Sequence, residues 1–333
     1  MDSVTQIVLG AAVGEAVLGR KVGPRAAVWG GICGTIPDLD VFIPMGNAVA
    51  DFTYHRSFSH SLLVLAVLTP LIVWLIIKIH PQTKDLKWRW AVLVYAVFAT
   101  HALLDSFTVY GTQIFWPLTE YPVSIGAIFI IDPAYTLPLL IGLLTALILR
   151  RSPLGHRANY VGLGLSSAYL LWGLGLQWHL ERVAGQSLAA QGIEYQRLLV
   201  QPTPFNSVLW RIVAVNDDHY RVGYHSLLDK DDEINTTRIE STPELLSGLE
   251  THWPVTRLQW FTHGYYSVEQ EGNAIVISDL RMGLEPDYVF RFKIGELGNP
   301  HPRPLTSTQL PVARNLDRLP LLWQRIWNAS ITF

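Results

Sequence analysis

The chain has 333 residues, of which 50% are hydrophobic and only 16% are charged. Soluble domains usually contain about 25% charged residues, so this composition is unusually apolar. The net charge of −2 implies no basic surface of the kind expected of a nucleic-acid-binding protein. The single cysteine, Cys33, excludes an intrachain disulfide and a cysteine-rich zinc motif. The N-terminal stretch lacks a positive region before its apolar part, so we expect no cleaved signal peptide.

Apolar segments dominate the first 180 residues. Residues 4–19 and 25–36 are rich in Gly and Ala and predict a tight helical hairpin. Each is shorter than the roughly 20 residues of a spanning helix, so a thin or partly inserted pair of helices is an equal alternative. The longer segments that predict transmembrane helices are Leu62–Ile79, Trp88–Leu104, Val123–Leu149 and Tyr160–Leu180. We therefore expect an α-helical polytopic membrane domain with four to six membrane segments.

The distribution of Lys and Arg predicts the orientation. Basic residues concentrate in three connections, 20–25, 78–90 and 150–158. The positive-inside rule places these in the cytoplasm. The connection 105–122 has no Lys or Arg, and 37–60 has only Arg56. Both are therefore predicted at the outer face of a bacterial inner membrane.

The composition changes after Leu180. Alternating β-branched and aromatic runs, bounded by Gly, Asn, Asp and Pro, predict strands. We expect a helical membrane domain at 1–180, a linker at 181–204 and a soluble β-rich (α+β) domain at 205–333 on the periplasmic side. The sequence LPLLWQRIWN near the end predicts a short amphipathic helix at the bilayer surface.

The motif HRSFSHS, residues 55–61, lies directly before the apolar run Leu62–Ile79. Polar groups at the mouth of a membrane-length segment are costly, so they indicate a functional site. We expect His55 in a loop and His60 in the first helical turn, with Ser57 or Ser59 near the N-cap. Arg56 is expected to bind a phosphate oxygen or to pair with a carboxylate; a surface arginine that reaches to the membrane interface is the alternative.

Two acidic motifs lie at the same predicted face. In HALLD, His101 and Asp105 are four residues apart and so project from one helix face. In PDLD, one of Asp38 and Asp40 would be a metal ligand and the other would support it. Taken alone, a solvated turn explains PDLD equally well. For HALLD, a hydrogen-bonded pair at the helix end would be the better explanation in a soluble protein, but the neighbouring membrane segment favours a functional site.

Together, HRSFSHS, HALLD and PDLD indicate a metal site more specifically than any one of these motifs does alone. Mixed imidazole and carboxylate ligands suit zinc, manganese or iron(II). Such an ion with open positions would activate water and polarise a carbonyl or phosphoryl group. A site at a membrane face favours an amphiphilic, lipid-like substrate.

The N-terminal half resembles the YdjM-type family of bacterial inner-membrane proteins, described as metal-dependent hydrolases. The segments that carry the resemblance are TQIVLGAAVG, PDLD, HRSFSHS and HALLDSFTVYGTQIFWP, within residues 1–150. The resemblance implies these metal ligands: Asp38, Asp40, His55, His60, His101 and Asp105. Thr5-Gln6 stands where family members commonly carry Thr-His. A remoter similarity links the His-x-x-x-Asp helix to the helical zinc-dependent phospholipases C.

Two smaller expectations concern other polar residues. Glu15 is expected to pair with Arg20 or Arg25. A solvated loop is expected for four residues, Thr108, Tyr110, Thr112 and Gln113, with the lining of the site as the alternative.

We therefore predict an integral membrane metal-dependent hydrolase that acts on a phosphoester or ester by metal-activated water, most simply with zinc. Asp40 would be the general base and Arg56 would stabilise the developing charge. Expected partners are membrane lipids and a lipid-like or small-molecule substrate, and no nucleic acid. Two alternatives are a structural metal site whose β domain docks a partner, and a transporter.

Overall fold

A computed structural model describes residues 1–311 and 318–331. Its packing divides into two units. The first unit comprises Met1–Ile43 and His55–Leu174, and the second comprises Pro44–Tyr54 and the residues from Gly175 onward. The domain boundaries near residues 180 and 204 remain predictions, and residues 312–317 and 332–333 of the predicted β domain lie outside the described residues.

The first unit consists mostly of α-helices, and short 3-10 segments lie in the connections. In chain order they are α1 (Ser3–Val22), α2 (Arg25–Thr35), α3 (Ala48–Tyr54), α4 (Leu62–Ile79), α5 (Lys87–Ser106), α6 (Pro133–Ile148), α7 (Pro153–Ala190), α8 (Trp253–Phe261) and α9 (Leu319–Trp327). The 3-10 segments are Pro37–Phe42, Phe58–His60, Pro81–Leu86 and Pro243–Leu246. Helices α3, α8 and α9 belong to the second unit, and α7 runs from the first unit into the second.

Helices α1 and α2 form the predicted tight hairpin. A Cβ atom on Gly10 would lie 2.4 Å from the carbonyl oxygen of Gly30, and one on Gly34 would lie 2.5 Å from the carbonyl oxygen of Gln6. Real side chains do not tolerate such distances, so glycine allows the two backbones to touch. Helix α1 also packs against α5 and α6, which brings its N-terminal half beside HALLD.

Helix α4 has the character of a membrane span. Within residues 1–311 and 318–331 it is the one helix long and apolar enough to cross a membrane, by length and composition. Several of its large apolar side chains are exposed, among them Val67, Leu71 and Trp74. An apolar face that the protein leaves uncovered suits a lipid environment. The prediction of four to six membrane segments remains a prediction.

The third predicted span, Val123–Leu149, is wrong in its first part. Residues 123–132 form no helix, and α6 begins at Pro133. Asp132 caps α6, because its carboxylate accepts a hydrogen bond from the amide of Ala134 at 2.9 Å. Proline suits a first helical position because it has no N–H to satisfy, so Asp132-Pro133 starts a helix rather than kinking one.

The second unit is rich in β-structure, as predicted. Its strands are β1 (Arg197–Pro202), β2 (Leu209–Val215), β3 (His219–Ser226), β4 (Thr236–Glu240), β5 (Tyr266–Glu271), β6 (Ala274–Asp279), β7 (Gly283–Leu284), β8 (Asp287–Tyr288), β9 (Arg291–Glu296) and β10 (Arg303–Gln309). One antiparallel sheet has the order β1-β2-β3-β4 and another has the order β10-β9-β6-β5. Helix α9 confirms the short helix predicted from LPLLWQRIWN.

The segment Pro44–Tyr54 belongs to the second unit although it lies between two motifs of the first. On α3, Phe52 is buried and its ring lies 4.9 Å from that of Phe261 and 5.3 Å from that of Phe292. The side chain of Thr53 accepts a hydrogen bond from Arg257 at 3.1 Å. An insertion into the N-terminal region therefore completes the core of the C-terminal unit.

Candidate metal centre

Four side chains of the first unit converge on one point. Asp38, His60, His101 and Asp105 each offer a ligand atom, and these atoms all lie within 4.8 Å of one another. The 3-10 segments supply Asp38 and His60, and α5 supplies His101 and Asp105. We call these four residues the metal centre. The predicted placement of His101 and Asp105 on one helix face is confirmed.

The spacing of the four residues fits a small divalent ion. The Nε2 atoms of His60 and His101 are 3.2 Å apart, and His60 Nε2 is 3.1 Å from Oδ2 of Asp105. Oδ1 of Asp38 lies 3.5 Å from His60 Nε2 and 3.6 Å from His101 Nε2. Ligands of a tetrahedral zinc ion at its usual bond lengths are about 3.3 Å apart. The centre therefore needs little movement to hold such an ion.

The outer nitrogens of both imidazoles already have partners. His101 Nδ1 lies 2.8 Å from the carbonyl oxygen of Gly34. A carbonyl only accepts, so Nδ1 carries the proton and Nε2 of a neutral His101 presents a lone pair. Hydrogen bonds of this kind fix a ligating histidine in the tautomer that a metal needs.

The same argument applies to His60 through Ser59. The Ser59 hydroxyl donates to Oδ2 of Asp40 at 2.5 Å and lies 2.9 Å from Nδ1 of His60. Its one hydrogen is used on Asp40, so Ser59 accepts from His60 Nδ1–H, and Nε2 of a neutral His60 also presents a lone pair. Two lone pairs and two carboxylates thus face one point. Such a set of acceptors is satisfied by a cation, or by a proton on Nε2 of an imidazole, as in the contact of His60 with Asp105.

Asp40 and His55 lie beside this group and not within it. In a 3-10 helix successive residues turn by about 120°, so residues two apart point in different directions. Asp38 therefore faces the metal centre while Asp40 faces His55, whose Nδ1 is 2.7 Å from Asp40 Oδ1. Asp40 also accepts from the backbone amide of Arg56 at 3.0 Å. Of the six predicted ligands, the structure brings four together and places these two as a neighbouring pair.

Arg56 is buried against the metal centre, so its predicted pairing with a carboxylate is confirmed. Its Nε lies 3.3 Å from Oδ2 of Asp105, and its guanidinium carbon is 4.9 Å from the ring centre of Tyr110. Its φ of 65° is left-handed, which is uncommon outside glycine. This turn directs the Arg56 amide to Asp40 and its carbonyl to the amide of Gln113, 2.9 Å away. The loop that follows α5 is thereby attached to the HRSFSHS motif.

Two expectations about the surroundings of the motif are wrong. The N-cap of α4 is Ser61, which accepts from the amide of Val64, and His60 lies before it in its own 3-10 turn. The segment after HALLD is buried rather than solvated: Thr108 and Thr112 are fully buried, and Gln113 is nearly so. Thr108 contacts the arginine beside the centre, because its hydroxyl accepts a hydrogen bond from Nη1 of Arg56 at 3.4 Å.

Asp105 is the most heavily contacted residue of the centre. Its Oδ1 accepts from Nε2 of Gln6 at 3.0 Å and also pairs with the α-amino group of Met1. Gln6 additionally donates to the carbonyl of His101 at 3.3 Å. In place of the histidine that the family resemblance would imply, this chain therefore carries an amide that holds Asp105 in place.

Asp38 and Asp40, which share the 3-10 segment Pro37–Phe42, are both ionised at neutral pH. Burial would raise the pKa of Asp38, but hydrogen bonds with His101 and His60 outweigh it and hold the pKa well below its usual range. Burial acts on Asp40 in the same direction, and the hydrogen bond with His55 outweighs it, so that pKa is also lowered. Asp38 therefore adds negative charge where a cation would bind, and Asp40 adds it beside that point.

Access to the centre is from the side of Asp38. Its side chain is 23% exposed, while those of His60, His101 and Asp105 are buried. His55, which pairs with Asp40, is also partly exposed, with 22% of its side chain accessible. The role of Ser59 as a link between Asp40 and His60 was missed by the sequence analysis, although its position directly before His60 was a signal.

Comparison with known proteins assigns the N-terminal part of the chain to a family. The family described as YdjM inner membrane protein matches residues 1–180. The uncharacterized protein YfhP of Bacillus subtilis (strain 168) is 32% identical over 144 residues, which cover 40% of this chain and 42% of that protein. The chain thus matches less than half of that relative's length. No solved structure matches the chain. Because the family match covers more than half of the sequence, the chain belongs to the family of YdjM inner membrane proteins.

Proposed function

We propose that this chain is an inner-membrane metal-dependent hydrolase that cleaves a phosphoester or ester of an amphiphilic substrate. The observation that carries the proposal is the set of two imidazole lone pairs and two carboxylates facing one point. Zinc suits this mixed nitrogen and oxygen set, and manganese or iron(II) are the other candidates. When bound, such an ion would lower the pKa of water and polarise a phosphoryl or carbonyl group.

The residues around the centre have separate roles in this proposal. His60 and His101 are held by Ser59 and by the Gly34 carbonyl, so their ring orientations are set before an ion arrives. Arg56 is held over Tyr110 beside Asp105. Its guanidinium would bind the negative charge that develops on the substrate, in a buried setting where that interaction is strong.

The predicted role of Asp40 as a proton acceptor would operate through His55. Asp40 already receives three hydrogen bonds, from His55, Ser59 and the Arg56 amide. His55 is the partly exposed member of this group. A carboxylate that orients an imidazole at the opening of a site is a common arrangement for accepting a proton from substrate or water.

The lipid-like substrate is supported by the position of the centre in the chain. Only Ser61 separates His60 from α4, whose exposed side chains are apolar. A site at the end of a membrane-compatible helix would meet the head group of a lipid at the interface. The outer, periplasmic face follows from the basic connections and remains part of the proposal.

A structural metal site is the second candidate function. Four protein ligands complete a tetrahedral shell, and closed shells are typical of structural zinc. In that case the ion would only hold α5 to the two 3-10 segments, and the β-rich unit would be the part that docks a partner. The partial exposure of Asp38 favours the hydrolase, since an exchangeable carboxylate leaves room for substrate. The third candidate, a transporter, is distinguished by the experiment that follows.

The test compares the full chain, purified in detergent, with His101→Ala and Asp105→Ala. Bound metal is measured by mass spectrometry, and hydrolysis is measured with chromogenic phosphoesters, esters and phospholipids. We expect about one equivalent of metal in the wild type, its loss in both variants, and loss of turnover by at least a hundredfold. His219→Ala, which alters an exposed pair with Asp218, is the matched control and should change neither quantity.

The other outcomes separate the candidates. Full metal occupancy in His101→Ala would refute the ligand assignment. Metal that is lost in both variants, without turnover on any substrate in the wild type, favours the structural site. Metal or solute flux into sealed vesicles that both variants abolish would instead indicate a transporter.

A further inference from the structure

A second polar site lies in the first unit, away from the metal centre. A cavity of about 580 Å³ lies between the turn that joins α1 to α2 and the connection from α6 to α7. We call it the arginine cavity. Its lining includes Arg20, Arg150 and Arg151. Gln6 at the metal centre and Arg20 are both on α1, about 21 Å apart along the helix axis at 1.5 Å per residue.

The three arginines of this cavity are exposed and have no partner of their own. None of them forms a hydrogen bond or ion pair with any residue that the structure describes. Arg20 lies in the last turn of α1, whereas Arg150 and Arg151 lie between α6 and α7, so local sequence alone does not place them together. The cavity is also lined by Glu15 and His156, which pair with each other. Three guanidinium groups without an ion pair of their own, against one paired carboxylate, leave a net positive site.

The carboxylate that was expected to neutralise an arginine has another partner. Glu15 is buried, and its Oε1 lies 3.2 Å from Nδ1 of His156. The expected pairing of Glu15 with Arg20 or Arg25 is therefore wrong. A Cβ atom on Gly19 would lie 2.2 Å from the Glu15 carboxyl carbon. Glycine at this position gives the carboxylate room to lie against α1, where His156 holds it.

We propose that the arginine cavity binds a phosphate-bearing anion, the head group of an anionic phospholipid. Guanidinium groups match phosphate oxygens in both charge and geometry. The volume lies within the roughly 300–1,000 Å³ of small-molecule sites. The chain belongs to an inner-membrane family, and basic pockets between membrane helices bind phospholipid head groups. The proposal does not depend on the hydrolase activity.

The experiment measures lipid binding to the full chain in a nonionic detergent. Phosphatidylglycerol is titrated in and its binding is followed by native mass spectrometry, with inorganic phosphate as a separate probe and as a competitor. Arg20→Gln, Arg150→Gln and the double variant Arg150→Gln/Arg151→Gln remove charges from the cavity. Arg157→Gln removes an equal charge from an exposed position of α7 that does not line it.

We expect each single variant to weaken phosphatidylglycerol binding about fivefold and the double variant about 25-fold. Arg157→Gln should leave it unchanged. All four arginines are exposed, so unfolding temperatures without lipid should agree and exclude misfolding. Competition by inorganic phosphate would support recognition of the phosphate group; binding of inorganic phosphate without the lipid would support the anion site and overturn the lipid as its source.

Two results would overturn the proposal. One is equal weakening by Arg157→Gln and the cavity variants, which would show diffuse attraction between a basic surface and an acidic lipid. The other is wild-type binding in the double variant. His101→Ala should bind phosphatidylglycerol normally, so failure of the proposed hydrolase function and failure of this site are distinguishable.

Discussion

The two units of the molecule differ in how their buried charged side chains are paired. In the described part of the β-rich unit, each buried arginine has its own carboxylate: Arg211 pairs with Glu285, Arg281 with Asp279 at 2.7 Å, and Arg325 with Asp229 at 2.8 Å. In the metal centre, the carboxylates of Asp38 and Asp105 both lie near the same two imidazoles. Asp105 also pairs with Arg56 beside the centre. The pairs in the β-rich unit are complete as they stand, whereas the metal centre presents acceptors that face one another.

This difference separates a structural role from a binding role. A buried ion pair with one partner for each charge mainly costs stability when one partner is removed. A convergent group of acceptors is unfavourable by itself and becomes favourable when a cation joins it. Burial and charge alone therefore do not identify a site; the balance of donors and acceptors does.

The largest effect expected from this contrast is on stability, for Glu285→Ala. It would leave Arg211, which is fully buried, without its carboxylate, and such a loss typically costs about 3–5 kcal/mol. Chemical denaturation of the full chain, followed by tryptophan fluorescence, measures it. Metal content should not change. Glu240→Ala, which breaks an exposed pair with Arg238, is the control and should leave stability almost unchanged. A fall in metal content of Glu285→Ala would contradict the separation of roles.

An intermediate effect is expected for Asp40→Asn. Removing this carboxylate loosens both Ser59 and His55, and changes next to metal ligands typically reduce metal affinity about 10–100-fold. Competition with a chelator measures the affinity. Asp51→Asn, at an exposed aspartate that accepts a backbone hydrogen bond from Met45, is the control. Complete loss of the ion in Asp40→Asn would instead make Asp40 a ligand, as the sequence predicts.

The smallest effect is expected for Ser59→Ala. The His60 ring would lose the acceptor for its Nδ1–H, while Asp40 would keep its bonds from His55 and the Arg56 amide. We expect a loss of metal affinity of about tenfold or less, in line with one hydrogen bond of about 0.5–1.5 kcal/mol. The same chelator assay measures it. Ser106→Ala removes a buried hydroxyl that bonds within α5, and an equal loss there would argue against a specific link through Ser59.

Sequence reasoning was strongest where the geometry is local. The spacing of His101 and Asp105 places both on one face of α5, because a helix repeats every 3.6 residues. The glycines of residues 4–36 predicted close helix packing, and α1 and α2 are in backbone contact. The strand-like alternation after residue 180 predicted the β-rich unit. In each case the pattern is formed by residues that are close together in the sequence.

Sequence reasoning failed where partners come from distant segments. The different directions of Asp38 and Asp40 depend on a 3-10 segment, whose repeat is not evident in PDLD. The pairing of Glu15 with His156 joins residues far apart in sequence, whereas nearby Arg20 and Arg25 looked more suitable. The segment Pro44–Tyr54 also has no signal that assigns it to the second unit, since that assignment depends on contacts such as Phe52 with Phe261.

Gly34 affects both the spacing of α1 and α2 and the tautomer of His101 on α5. The absence of a side chain lets α1 approach α2, and the Gly34 carbonyl accepts the Nδ1–H of His101 on α5. A larger residue there would push the backbone away and release the ring, so His101 could change tautomer and present N–H instead of a lone pair to the centre. A larger side chain at position 34 would then be detected as a change in which ring nitrogen of His101 carries the proton, although the two residues are far apart in sequence.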